Sequence, residues 1–255
     1  MCYDDGARPP LPPIRGGSGQ GEDAVLTASD GNRFAAYLAT PDNPKGAQTL
    51  IFPDVRGLHQ FYKELALRFA EQGITALAMD YFGRTAGLGH RDDSFEYMPH
   101  VQQLNFDTFQ SDVAAALAHL RSRPGGNVPT FTVGFCMGGT LSFLTGTRDH
   151  GLAGVIGFYA GISRSFAGVG TWPEQINNIK YPLLGLFGGA DQSIQQDKVK
   201  ALDLDLDTAG IEHEIVIYPG APHSFFDRRA TEYADASADA WKRVLGFIDA
   251  HAGHR

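Results

Sequence analysis

A cysteine between two glycines limits the possible folds of this chain more than any other segment. Residues 130–133 form a short apolar run that predicts a buried strand, and residues 134–138 continue it with Gly-Phe-Cys-Met-Gly. A predicted helix begins inside this segment and continues to residue 146. A strand that turns directly into a helix needs glycines there, because larger side chains would collide with neighbouring backbone. The segment therefore predicts a strand–turn–helix unit that presents Cys136 at the turn.

Cys136 takes the nucleophile's place in such a turn. The first N–H groups of the following helix would stabilise both a thiolate and an oxyanion. The alternative is a structural cysteine in a tight turn, because free cysteines are often buried. No Gly-x-Ser-x-Gly segment occurs elsewhere in the sequence to compete with this one.

Strand and helix signals alternate along most of the chain, which is typical of a parallel sheet covered on both faces. We therefore predict one doubly wound α/β domain at 23–255, preceded by a Pro- and Gly-rich lead-in at 1–22. An irregular stretch at 80–99 predicts a functional loop. Predicted strands lie at 24–29, 34–39, 49–52, 74–79, 130–133, 155–159, 183–187 and 214–218, and predicted helices at 61–72, 101–123, 137–146, 194–209 and 232–251.

Composition narrows the class of protein. The net charge of −8 disfavours nucleic acid and anionic membrane surfaces as partners, since both attract a basic face. The two cysteines, Cys2 and Cys136, fit a reducing compartment and show no metal-ligand spacing. With no signal-peptide pattern and no spanning apolar run, we predict a soluble cytoplasmic protein that is a monomer or a small homo-oligomer.

Two further residues complete a candidate triad. In the α/β-hydrolase fold, the nucleophile is followed along the chain by an acid and then by a histidine, each after a strand. Asp191 follows the predicted strand 183–187, and His223 follows the last predicted strand in a loop rich in Gly and Pro. Alone, Asp191 is equally well interpreted as a turn or helix-capping residue, and His223 as an exposed loop histidine. Their order and positions favour a Cys136–His223–Asp191 triad.

With these residues in place, the chain resembles the dienelactone hydrolase family over most of its length, from about residue 49 to residue 251. The resemblance is carried by five segments, at 52–57 (Phe-Pro-Asp-Val-Arg-Gly), 80–84 (Asp-Tyr-Phe-Gly-Arg), 134–139, 188–191 (Gly-Gly-Ala-Asp) and 220–225 (Gly-Ala-Pro-His-Ser-Phe). It implies an α/β-hydrolase fold and hydrolysis of enol-lactones in aromatic degradation, with no metal or organic cofactor.

The resemblance also implies roles for individual residues. Asp54 stands where the family usually has a glutamate that helps to deprotonate the nucleophile, and the backbone N–H groups of Val55 and Met137 would form the oxyanion hole. Residues that would bind the substrate are Arg84, Tyr159 and Arg228. The family's second arginine lies four residues after the histidine, where this chain has Asp227, so Arg228 is shifted by one position. Tyr159 is equally well interpreted as a tyrosine at the edge of the core.

Three other functions remain open on the sequence. The same triad would serve a general carboxylesterase or thioesterase. A hydrolase fold that lost catalysis would be a binding or sensor protein. A redox-sensing thiol would need a resolving cysteine near Cys136, and Cys2 is remote in the sequence.

Overall fold

The computed structural model describes residues 8–11, 18–227 and 229–253. Strands are β1 (Gly19–Thr27), β2 (Arg33–Pro41), β3 (Gln48–Phe52), β4 (Thr75–Met79), β5 (Thr130–Phe135), β6 (Gly154–Phe158), β7 (Ser165–Phe166), β8 (Val169–Thr171), β9 (Leu183–Gly188) and β10 (His213–Tyr218). The α-helices are α1 (Gln60–Glu71), α2 (Gly83–Ala86), α3 (Met98–Gln103), α4 (Phe106–Ser122), α5 (Met137–Thr145), α6 (Gln196–Ala209) and α7 (Ala234–Ala252), and a 3-10 helix spans Pro173–Asn178.

Within these residues, eight strands form one sheet in the order β1-β2-β4-β3-β5-β6-β9-β10. In this sheet, β4, β3, β5, β6, β9 and β10 run parallel to one another, whereas β2 pairs antiparallel with both β4 and β1 at one edge. Every residue of β3, β5, β6 and β9 is buried, as expected for strands covered on both faces. The predicted mostly parallel α/β sheet is confirmed.

Helices cover the sheet in two groups. Phe69 of α1 packs against Trp241 of α7, with ring centroids 4.7 Å apart. Gln110 of α4 donates a 3.0 Å hydrogen bond to the Thr145 hydroxyl of α5. Among the described residues, none of the helices combines the length and the apolar character that crossing a bilayer requires.

The strand order reverses next to β3, since the chain goes from β3 to β4 on one side and then crosses to β5 on the other. Ligands of open α/β sheets bind at such a reversal, beyond the carboxyl ends of the strands. Phe52, at the end of β3, is paired with Gly134 of β5. The loop after β3 and the turn after β5 therefore lie side by side at this edge.

Several elements differ from those predicted. β1 begins at Gly19, inside the predicted lead-in, because pairing with β2 extends to Gly19 opposite Pro41. α4 begins at Phe106 and not near residue 101, because the Asn105 side chain caps it by accepting from the N–H groups of Asp107 and Thr108. The short β7–β8 hairpin was not predicted, since its strands are only two and three residues long.

Candidate active site

Cys136 occupies the turn between β5 and α5 in a strained backbone conformation. Its φ is 54° and its ψ is −114°, a combination that L-residues rarely adopt. The Cys136 N–H donates a 3.0 Å hydrogen bond to the Phe158 carbonyl oxygen at the end of β6. The side chain remains half-buried. The end of β6 therefore fixes the Cys136 backbone at the turn, while the thiol stays partly accessible.

The glycines on either side of Cys136 are required by close backbone approach. A Cβ at Gly134 would lie 1.9 Å from the Gly138 carbonyl oxygen. A Cβ at Gly138 would lie 2.1 Å from the carbonyl oxygen of Pro53 and 2.2 Å from that of Phe52. All three distances are far inside van der Waals contact. The loop after β3 thus packs directly on the first turn of α5.

Asp191 follows β9 and its side chain is almost completely buried. One carboxylate oxygen, Oδ1, accepts hydrogen bonds from the Ser193 N–H at 2.8 Å and the Ser193 hydroxyl at 2.7 Å. Burial raises the pKa of Asp191, but hydrogen bonds and charge from His223 and the bonds from Ser193 outweigh it and leave the pKa below its usual value. Asp191 is therefore held as a carboxylate.

His223 lies between Asp191 and Cys136. Its Nδ1 is 2.6 Å from the Asp191 Oδ2, the carboxylate oxygen that Ser193 leaves available, and the ring also makes a hydrogen bond with the Cys136 side chain. The bond to Asp191 sets the ring orientation and assigns the Nδ1 proton to that side. The structure thus brings together the three residues of the predicted triad.

The surroundings of His223 favour its protonated form. Burial lowers its pKa, but hydrogen bonds to Asp191 and Cys136 and the charges of both groups act in the opposite direction and raise the pKa to about 10. An imidazolium beside a thiolate is the arrangement that activates cysteine nucleophiles.

Tyr159 follows β6 and its ring lies against His223. Its ring centroid is 4.8 Å from that of His223, and its hydroxyl donates a 2.9 Å hydrogen bond to the buried Asp227 carboxylate. Its φ of 37° is unusual for a residue other than glycine. Tyr159 is therefore packed beside His223 with its hydroxyl engaged by Asp227, and its role in substrate binding stays a prediction.

Asp54 is fully buried near the start of the loop that follows β3. Its Oδ1 accepts a 2.9 Å hydrogen bond from the N–H of Arg56, two residues further on. The register of β3 and β5 places Asp54 at the same sheet edge as Cys136, each two residues beyond a paired position. The role of Asp54 in deprotonating the thiol stays a prediction.

The two predicted oxyanion donors lie on the elements that meet at this edge. Met137 is the first residue of α5, and amide groups in the first turn of a helix have no carbonyl partner within it. Val55, which is half-buried, follows Asp54 in the loop that packs on α5. Their use as an oxyanion hole also stays a prediction.

Arg84 is occupied by two carboxylates of the protein itself. Its guanidinium donates to Asp112 of α4 at 2.8 and 2.9 Å and to Asp30 of the β1–β2 turn at 2.7 and 3.2 Å. A substrate carboxylate would have to compete with both aspartates for these donors. The other predicted substrate-binding arginine, Arg228, and the remote Cys2 lie outside the described residues.

Ser193 is a site residue that the sequence analysis did not identify. Its amide and hydroxyl both donate to Asp191, and its hydroxyl is 3.4 Å from the His223 Nδ1. The available signal was the Asp-Gln-Ser segment at 191–193, because an aspartate commonly accepts from the backbone N–H two residues on.

Comparison with known proteins agrees with this architecture. The model of the dienelactone hydrolase family matches residues 34–252. A protein from Escherichia coli named "Putative carboxymethylenebutenolidase" is 27% identical over 248 residues, covering 92% of this chain and 90% of its own length. A protein of the same name from Saccharolobus solfataricus is 29% identical over 267 residues, covering 89% of this chain and 98% of its own.

Solved structures agree on the fold. A crystal structure named as that of a "Putative Dienelactone Hydrolase" from Klebsiella pneumoniae superposes with a TM-score of 0.76. The two chains are 24% identical, and the match covers 90% of this chain and 99% of the other. The esterase Pf2001 from Pyrococcus furiosus superposes with a TM-score of 0.70 at 14% identity, covering 98% of this chain and all of its own.

Proposed function

The chain belongs to the dienelactone hydrolase family, and we propose that it opens enol-lactones of the dienelactone type through a Cys136–His223–Asp191 triad and an acyl-thioester intermediate. The observation that carries the proposal is the position of His223, which is hydrogen-bonded to Asp191 on one side and to Cys136 on the other. The names of the relatives support a carboxymethylenebutenolidase-type hydrolase acting on a small ester.

In the first step, the Cys136 thiolate attacks the lactone carbonyl and forms a carbon–sulfur bond. The carbonyl electrons move to oxygen, and the N–H groups of Val55 and Met137 stabilise the resulting oxyanion. When the oxyanion collapses, the bond between the carbonyl carbon and the ring oxygen breaks. The departing enolate takes a proton from the His223 imidazolium, which leaves a thioester and a neutral histidine.

In the second step, His223 acts as a base. It removes a proton from a water molecule, whose oxygen attacks the thioester carbonyl. The carbon–sulfur bond then breaks, so that the acid product leaves and the Cys136 thiolate is restored beside a protonated His223. Asp191 stabilises the imidazolium at both stages through the 2.6 Å hydrogen bond. The cycle needs no group beyond those of the chain and one water molecule.

A general carboxylesterase is the second candidate, and one observation favours it. The pairing of Arg84 with Asp30 and Asp112 leaves the predicted arginine engaged, so this residue does not distinguish a substrate that carries a carboxylate from a neutral ester.

The test compares wild-type protein with Cys136→Ala, and with Cys2→Ala as a matched control that removes the other thiol. We expect Cys136→Ala to lower turnover of a dienelactone by at least about 10³-fold, because the nucleophile is lost, while Cys2→Ala retains the wild-type rate. His223→Asn lacks the base that activates water, so its thioester should persist. Mass spectrometry of this variant should then detect the acyl group on Cys136.

Retention of activity by Cys136→Ala would remove the proposed mechanism. If the thiol is required but simple p-nitrophenyl esters are hydrolysed with a higher kcat/KM than the dienelactone, the esterase alternative replaces the lactonase. Failure of iodoacetamide to modify Cys136, together with no turnover of either substrate, would favour a binding protein.

A further inference from the structure

The segment between β6 and β7 lies along the first turn of α5. The carbonyl oxygen of Phe158 accepts from the Cys136 N–H at 3.0 Å, and that of Gly161 accepts from the Thr140 hydroxyl at 3.2 Å. Thr140 lies one turn of helix after Cys136. These bonds attach the segment to the turn that carries the nucleophile, at two points on either side of Tyr159.

Arg164 comes three residues after the second attachment, immediately before β7. Its Nη1 lies 4.0 Å from the Met137 sulfur, and its side chain is exposed. Met137 directly follows Cys136 and carries one of the two proposed oxyanion donors. The Arg164 guanidinium therefore lies beside the side chain of the first residue of α5 and is open to solvent.

Arg164 differs from several other arginines of the chain in whether its charge is paired with a carboxylate. Arg84 pairs with Asp30 and Asp112, Arg56 with Asp93, and Arg91 with Asp80, all at 2.6 to 2.8 Å. The Arg164 guanidinium contacts the Met137 sulfur, and among residues 8–11, 18–227 and 229–253 no carboxylate forms an ion pair with it. Its positive charge is thus available to a ligand.

We propose that Arg164 is a specificity-determining residue that binds a carboxylate carried by the substrate close to the reacting carbonyl. The inference rests on the proposed function, because it takes the reacting carbonyl to lie between Cys136 and the N-terminus of α5. A planar guanidinium can form two parallel hydrogen bonds with a carboxylate, and an exposed one loses little hydration before the ligand arrives. Arg164, in the segment between β6 and β7, would then select substrates that carry a carboxylate, and Arg84 would not.

The experiment uses two substrates that differ only in this charge, a carboxymethylene-butenolide and its methyl ester. In Arg164→Ala, we expect KM for the acid to rise about tenfold with kcat little changed, because a charge-assisted hydrogen bond is lost. KM for the methyl ester should stay within about twofold of wild type. Arg164→Lys should recover part of the loss, and Arg164→Glu should increase it.

Two comparison variants separate position from charge. Arg148→Ala removes an exposed arginine beyond the opposite end of α5, where it pairs with Asp107, and should leave both KM values unchanged. Arg84→Gln tests the arginine predicted from the sequence. An equal change for acid and ester in Arg164→Ala would overturn the inference, as would a selective loss of the acid in Arg84→Gln alone.

Binding to Cys136→Ala separates this inference from the proposed function, since it needs no turnover. Calorimetry should show that the acid binds this variant more tightly than the methyl ester, and that adding Arg164→Ala removes the difference. That result without turnover by the wild type would reject the lactonase and keep the anion site. Turnover that depends on Cys136, with no preference for the acid in binding, would reject the anion site alone.

Discussion

The Nδ1 atom of His223 lies 2.6 Å from Oδ2 of Asp191, while the other oxygen of the same carboxylate is held by Ser193. Asp191 is therefore fixed on one side by its own loop and orients the His223 ring on the other. Because β9 and β10 are adjacent parallel strands, the loops that follow them meet at one edge of the sheet. This pairing brings together two residues that are 32 positions apart.

The first prediction concerns the pKa of His223. Asp191→Asn removes a hydrogen-bonded negative charge that favours the imidazolium, while burial of the ring, which disfavours it, remains. The pKa of His223 should therefore fall from about 10, and turnover should drop by about 10²-fold or more, since the ring also loses its orientation. NMR titration of the histidine ring and steady-state kinetics measure the two effects. Asp197→Asn, the same change on an exposed aspartate of α6, is the control and should alter neither quantity.

The second prediction separates two roles of Tyr159. Tyr159→Phe keeps the ring against His223 but removes the hydroxyl that donates to buried Asp227. We expect the free energy of unfolding to fall by about 1–2 kcal/mol, with KM within about twofold of wild type. Urea denaturation and substrate-saturation curves provide the measurements. A large rise in KM at unchanged stability would contradict this expectation and would assign the hydroxyl to substrate binding.

The third prediction concerns the contact between the loop after β3 and α5. Gly138→Ala would place a Cβ within 2.2 Å of the carbonyl oxygens of Phe52, at the end of β3, and Pro53, at the start of that loop, and moving these backbone atoms apart would distort both elements. We expect a loss of about 3 kcal/mol or more in the free energy of unfolding, measured in urea.

Gly246 of α7 offers a matched control, because a Cβ there meets no atom within 4 Å. Gly246→Ala should stabilise the protein by up to about 1 kcal/mol, since alanine is the better helix former. If both variants lost the same stability, the close approach at Gly138 would not be the cause.

The three residues of the proposed triad could be predicted because each depends on local sequence. Cys136, Asp191 and His223 follow short apolar runs, and parallel strands place whatever follows them at a common edge. The order of the strands themselves was not predictable in this way. β3 pairs with both β4 and β5, and the sequence of a short apolar strand does not specify which strands lie beside it in the sheet.

The arginines show where sequence patterns stop being informative. Arg84 was identified from the motif around it, but its partners Asp30 and Asp112 are 54 and 28 positions away. Arg164 was not identified, because it lies in a segment without a motif and reaches Met137 only through the packing of that segment on α5. Local pattern thus determined the α/β fold and the candidate triad, since periodicity and strand-end chemistry are properties of neighbouring residues. Which charged groups remain available to a substrate depended on long-range packing, because ion pairing joins side chains that are brought together only when the chain folds.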